Sequence, residues 1–131
     1  MLTVTFFLAL AVASLPLYQL RLMLGPLPIY LPELGIVAAA VVYLTYFFAV
    51  RPKVNWPTKS ILIGATLFLL GSLISTALAG GAAWGALKSW VVMPMAFAFL
   101  LNQLVKEPAL LDKLMLTIKV TVLTVALTAI L

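Results

Sequence analysis

Arg51-Pro52-Lys53-Val54-Asn55-Trp56-Pro57-Thr58-Lys59 is a short basic hinge set between two long apolar runs. Three of the chain's eight Lys and Arg residues fall inside it, and no acid accompanies them. Runs long enough to cross a bilayer on both sides make the hinge a loop between two membrane spans. Its charge assigns that loop to the cytoplasmic face, because cytoplasmic loops carry the excess of Lys and Arg. The chain reads as an all-α, polytopic helical bundle in a membrane.

Composition points the same way. Of 131 residues 66% are hydrophobic and 8% are charged, and mean hydropathy is +1.27. Soluble domains carry roughly 25% charged residues, so this chain lacks the means to cover a water-facing surface. The net charge of +5 is explained by topology and anionic headgroups rather than by nucleic acid. With no Cys and no His, disulfides, thiol nucleophiles and imidazole acid–base chemistry are excluded from this stretch. Glu33, Glu107 and Asp112 are the carboxylates. They form no cluster of carboxylates or imidazoles, so no metal site and no cofactor is expected. The Gly80, Gly81, Gly85 stretch lacks the Lys-Ser/Thr ending and the preceding strand of a phosphate loop, and reads as a turn.

Spans need about 20 apolar residues. Working outward from the hinge, residues 33–50 and 60–78 form the flanking spans, the former ending among Tyr43, Tyr46, Phe47 and Phe48, an aromatic belt. A fourth span covers residues 86–104, with a kink at Pro94, and a fifth runs over residues 110–131 after the polar Lys106-Glu107-Pro108 loop. The first covers residues 2–16 and extends, kinked at Pro16, toward Leu24. It resembles a signal peptide with Ala11-Val12-Ala13 as a cleavage site, but no Lys or Arg precedes the apolar run, and a retained helix is expected. Between the first two spans, Gly25-Pro26-Leu27-Pro28-Ile29-Tyr30-Leu31-Pro32 cannot be regular helix. Its apolarity keeps it in the interface or re-entrant. The whole chain, 1–131, reads as one transmembrane domain.

An inside amino terminus puts Arg51, Lys53, Lys59, Lys106 and Lys113 on the cytoplasmic side and Arg21 and Lys88 outside. Five cations against two favour that topology, with Lys119 snorkelling toward the inner headgroups. Small residues Ser60, Gly64, Gly71, Ser75 and Ala79 share a face of the third span, as for close intramolecular packing. Arg21 and Lys88 are the candidate functional cations. Each could hold a phosphate at the outer headgroup level, Arg21 bidentately and Lys88 as a point charge, or snorkel to ordinary lipid phosphates. Glu33, after Pro32 at a helix start, complements the helix dipole, or pairs with Arg21.

Leu15-Pro16-Leu17-Tyr18-Gln19-Leu20-Arg21, then Gly25-Pro26-Leu27-Pro28 and Glu33, resembles the opening of the bacterial O-antigen ligase and polymerase family. The likeness continues through Gly71-Ser72-Leu73-Ile74-Ser75-Thr76 and Ala86-Leu87-Lys88-Ser89-Trp90-Val91-Val92-Met93-Pro94, and spans about residues 14 to 105. It implies a GT-C-like glycosyltransferase of the bacterial inner membrane. Such an enzyme takes a glycan from undecaprenyl diphosphate at the outer face and passes it to lipid A core, a growing polysaccharide or a protein, without a metal. Arg21 and Lys88 would then be tentative lipid-diphosphate contacts. Family members are longer, and a large periplasmic loop with its flanking helices carries their key arginines and a histidine. This chain, lacking histidine, reads as the amino-terminal part of such a protein, without a catalytic residue of its own and inactive alone. The alternative is a small non-enzymatic membrane subunit, a transporter or assembly component, whose signature would be intramembrane charges along a path. Lys119 alone fits that signature.

Overall fold

A computed structural model describes residues 1–17, 21–24, 27–81 and 83–128, with the backbone alone for residues 21–24 and 27–28. Helix α1 (Leu2–Ala13) is followed by a 3-10 turn (Leu15–Leu17) and a two-stranded antiparallel hairpin of β1 (Arg21–Leu24) and β2 (Leu27–Tyr30). Then come α2 (Leu31–Val50), α3 (Lys59–Ala79), α4 (Ala83–Leu87), a π-helical turn (Lys88–Val92), α5 (Met93–Leu104) and α6 (Pro108–Thr128). The chain is mostly helical.

Three helices are long and apolar enough to cross a membrane: Leu31–Val50, Lys59–Ala79 and the continuous Ala83–Leu104. At 1.5 Å per residue, α6 has the length but carries Asp112, Lys113 and Lys119. The twelve residues of α1 reach only about 18 Å, short of a hydrocarbon core about 30 Å thick. The expected extension of the first helix toward Leu24 does not form. Its last turn closes at Ser14, whose hydroxyl donates to the Ala11 carbonyl at 2.8 Å. Residues 21–24 turn into a strand instead, registered with Arg21 opposite Tyr30 and Met23 opposite Pro28. Pairing between strands satisfies backbone groups that a Pro-rich apolar segment could not satisfy as a helix. Pro28 is tolerated because every strand of a two-stranded ribbon is an edge.

The short α1 is the centre of the bundle. Val4, Leu8 and Val12 pack with Ala39 and Tyr43 of α2, Leu100 and Leu104 of α5 and Leu114 of α6. Backbones meet where α1 crosses α2: a Cβ placed on Gly35 would stand 2.8 Å from the Ala11 Cβ and 2.9 Å from its Cα. The close small-residue contact therefore lies here rather than on α3. Among the described residues nothing comes within 4 Å of a Cβ placed on Gly64 or Gly71, so these residues do not provide the expected enclosure of the α3 stripe. Only the far end of α3, at Gly71, Ser75 and Ala79, faces α4 across a shallow groove. Outside, Leu78 is 85% and Phe48 74% exposed, a surface for lipid rather than water. The hydroxyls of Thr66, Ser72 and Thr76 donate to carbonyls four residues back, so these three meet an apolar solvent with their donors satisfied.

Helices α2 and α5 run parallel, fastened at the hinge end by amides. The Asn55 N–H donates to Gln103 Oε1 at 2.9 Å, and the Asn55 carbonyl accepts from Asn102 Nδ2 at 2.6 Å and Gln103 Nε2 at 2.9 Å. Asn55 Nδ2 returns a bond to the Asn102 carbonyl at 2.8 Å, and the Tyr43 hydroxyl donates to Gln103 Oε1 at 3.3 Å. The basic hinge and the Lys106 connection thus share one end of the bundle, and Lys88 lies at the other.

Two outcomes follow from this packing. Gly35→Leu should destabilise by at least about 1–3 kcal/mol, because Ala11 backbone occupies the space, while Gly71→Leu should be near neutral; thermal unfolding of the two variants in lipid discs compares them. Gln103→Leu should lower stability by about 2–4 kcal/mol by stranding the Asn55 backbone, and Asn55→Ala, which removes one side-chain bond, by about 1 kcal/mol. The same melts separate the two.

Candidate functional site

Pro94 lines the site and also shapes it from within its helix. A proline inside a helix offers no N–H, and its ring crowds the carbonyl four residues back, here that of Trp90. The chain accommodates this by widening the preceding turn: the Met93 N–H bonds to the Lys88 carbonyl, five residues back. This π turn is the local answer to the kink expected at Pro94. Successive residues of an α-helix point about 100° apart, and a wider turn reduces that angle. Lys88 and Ser89, neighbours in sequence, consequently reach one carboxylate together.

That carboxylate is Glu33, 4% exposed at the start of α2. Lys88 Nζ stands 2.7 Å from Oε2, and Ser89 Oγ donates to Oε1 at 2.5 Å. The Tyr30 N–H also donates to Oε2, at 3.1 Å. Glu33 therefore does cap its own helix, as its position after Pro32 suggested, and in addition holds Lys88. Hydrogen-bonded on both oxygens, it is the kind of buried ion pair whose attraction can offset desolvation. The Lys88 side chain remains 23% exposed against 5% for Glu33, so solvent and headgroups have access to the cation and little to the anion.

Beside the pair runs a groove of about 570 Å³ between the end of α1, the start of α2, the π turn with α5, and α6. Val12, Leu15, Ile36, Met93, Phe97, Ile118 and Val122 line it, with Glu33, Ser89 and Thr121 as its polar groups. A helix about 10 Å across would place only about five residues in about 570 Å³. The space suits a small ligand or a hydrocarbon chain.

Of the two candidate cations, Lys88 is in the Glu33 pair. The backbone of Arg21 is opposite Tyr30 in the hairpin, one turn before Glu33; its side chain lies outside the described residues. Both belong to the end of the bundle away from the hinge. Ser89 and the Glu33–Lys88 contact had no signal in the sequence beyond the bare presence of an acid and a base 55 residues apart. Glu107 and Asp112 lie at the hinge end, so no carboxylate joins Glu33. Among the described residues no group of three or more His, Cys, Asp or Glu comes together for a metal ion. No protein-family model, curated protein or solved structure matches the chain.

Lys88→Met should cost about 3–5 kcal/mol, because it strands a buried carboxylate. Ser89→Ala should cost about 1–3 kcal/mol, since Glu33 loses one of several donors. Urea titration in mild detergent, read by helical circular dichroism, gives both differences.

Proposed function

We propose that this chain forms the amino-terminal helices of an O-antigen ligase-like glycosyltransferase of the bacterial inner membrane. The complete protein transfers a glycan from undecaprenyl diphosphate to lipid A core or to a growing polysaccharide. The observation that carries the proposal is the apolar groove of about 570 Å³ running up to the Glu33–Lys88–Ser89 cluster. Hydrocarbon needs the slot and a phosphate needs a cation at its end. Lys88 supplies that cation, and Arg21, whose strand position is opposite Tyr30, is assigned as the second. The order of motifs from Leu15 to Pro94 supports the family assignment, and its GT-C character follows from that assignment.

In this reading the amino terminus and the hinge are cytoplasmic, and α1 and α6 bring the number of spans to five. Helix α1 is short for a span, but one of its faces, with Val4, Leu8 and Val12, is buried against α2, α5 and α6. The distribution of charge supports the orientation, with Arg51, Lys53, Lys59 and Lys106 gathered at one end of the bundle. The chain contributes lipid-diphosphate binding, and the catalytic residues belong to other segments.

Two measurements test it. A Cys at exposed Lys53 should resist a membrane-impermeant maleimide applied from the periplasm and react after permeabilisation; labelling before permeabilisation reverses the topology. In the complete protein, with expression matched, Lys88→Ala and Arg21→Ala should each lower glycan transfer about ten- to a hundredfold, the worth of one charge-assisted bond. Arg21→Lys should retain part of the activity, keeping the charge without the fork. Wild-type transfer by both alanine variants rejects the assignment.

A further inference from the structure

We infer that Glu33 is a specificity-determining residue: its ion pair with Lys88 screens the cation from singly charged phospholipid headgroups and yields it to a lipid diphosphate. The inference rests on the reading of Lys88 as a phosphate contact, and deepens it. Three observations carry it. Lys88 meets Glu33 at 2.7 Å, so an incoming anion must compete with a carboxylate already in place. Exposure is unequal, 23% for the lysine side chain and 5% for the glutamate, so the lysine can turn outward on its flexible stem while the glutamate stays. Finally, Glu33 keeps the Tyr30 N–H and the Ser89 hydroxyl when the ammonium departs, and it stays at a helix N-terminus, where negative charge is favoured. Glu33 does lose its counter-cation in the exchange, and that cost is the threshold an incoming anion must exceed.

Competition of this kind discriminates by charge. A phosphodiester headgroup carries one negative charge, as Glu33 does, and gains little by displacing it, because it must also surrender its own water. A diphosphate brings more than one charge and several acceptor oxygens to the same ammonium, and wins. An outward cation in a bilayer is otherwise surrounded by phospholipid in vast excess, so a built-in competitor separates a scarce ligand from abundant ones. This is specificity obtained by weakening the wrong complex.

The test uses the chain in phosphatidylcholine discs, titrated with undecaprenyl diphosphate or with phosphatidylglycerol, and bound lipid counted by native mass spectrometry. Wild-type protein should bind the diphosphate at least about tenfold more tightly than phosphatidylglycerol. Glu33→Gln should gain about tenfold in phosphatidylglycerol binding and lose most of that preference. Glu33→Asp, a milder change that lengthens the reach to Lys88, should fall between them. Adding Lys88→Gln to Glu33→Gln should abolish the gain. An unchanged preference in Glu33→Gln, or in Glu33→Asp should the first variant fail to fold, overturns the screening role. Lys88→Gln alone tests the underlying contact separately: weakened diphosphate binding sustains it whatever Glu33 does, and unaltered binding removes Lys88 from the site and the screen with it.

Discussion

A carboxylate buried among apolar helices must be met by donors or it drives the structure apart, and in this chain that demand gathers two distant segments. The Tyr30 N–H comes from the end of the hairpin, and the Lys88 ammonium and Ser89 hydroxyl come from the turn before α5. Satisfying Glu33 brings the start of α2 at Leu31 to the helix that begins at Ala83. The hairpin, tied in register to Tyr30, is carried to the same place. The groove then follows, since α1 and α6 fill the remaining sides of α2 and α5 without closing over the pair.

Amides supply the corresponding fastening at the hinge end. Asn55 has its backbone N–H, its carbonyl and its side chain all engaged by Asn102 and Gln103. Lipid-facing helices gain little from hydrophobic association, because the surrounding tails are as apolar as leucine. Position along and around α2 and α5 is therefore set by these two polar clasps and by close contact at Gly35 and Ala11. Helix α3, which has neither a clasp nor a contacted glycine, stands away from the others along most of its length.

The long helices were legible because length and apolarity decide them. Spans read at 33–50, 60–78 and 86–104 correspond to α2, α3 and the Ala83–Leu104 helix within a few residues. The hairpin was readable only as a place where helix fails: prolines exclude one conformation without choosing another. The Lys88 candidate was legible as an isolated cation, but its partner was not, since pairing across 55 residues depends on the π turn. The small-residue pattern misled. Five small residues on α3 formed the obvious stripe, yet Gly35, a single glycine on α2, meets a neighbouring backbone. Spacing identifies a face that permits approach, and the polar clasps decide which face is approached.

Relative to a regular helix, the π turn holds one residue more than its length requires. Everything before it is therefore rotated against everything after it by most of a right angle. Leu87 and Ala83, before the turn, face the groove toward α3, whereas Leu100 and Leu104, after it, enter the core with α1. One continuous helix thereby serves two neighbours on different sides. In genetic terms the turn is equivalent to one codon inserted into a regular helix. Its removal would leave a straighter helix of sound composition that could satisfy α3 or the core, but no longer both.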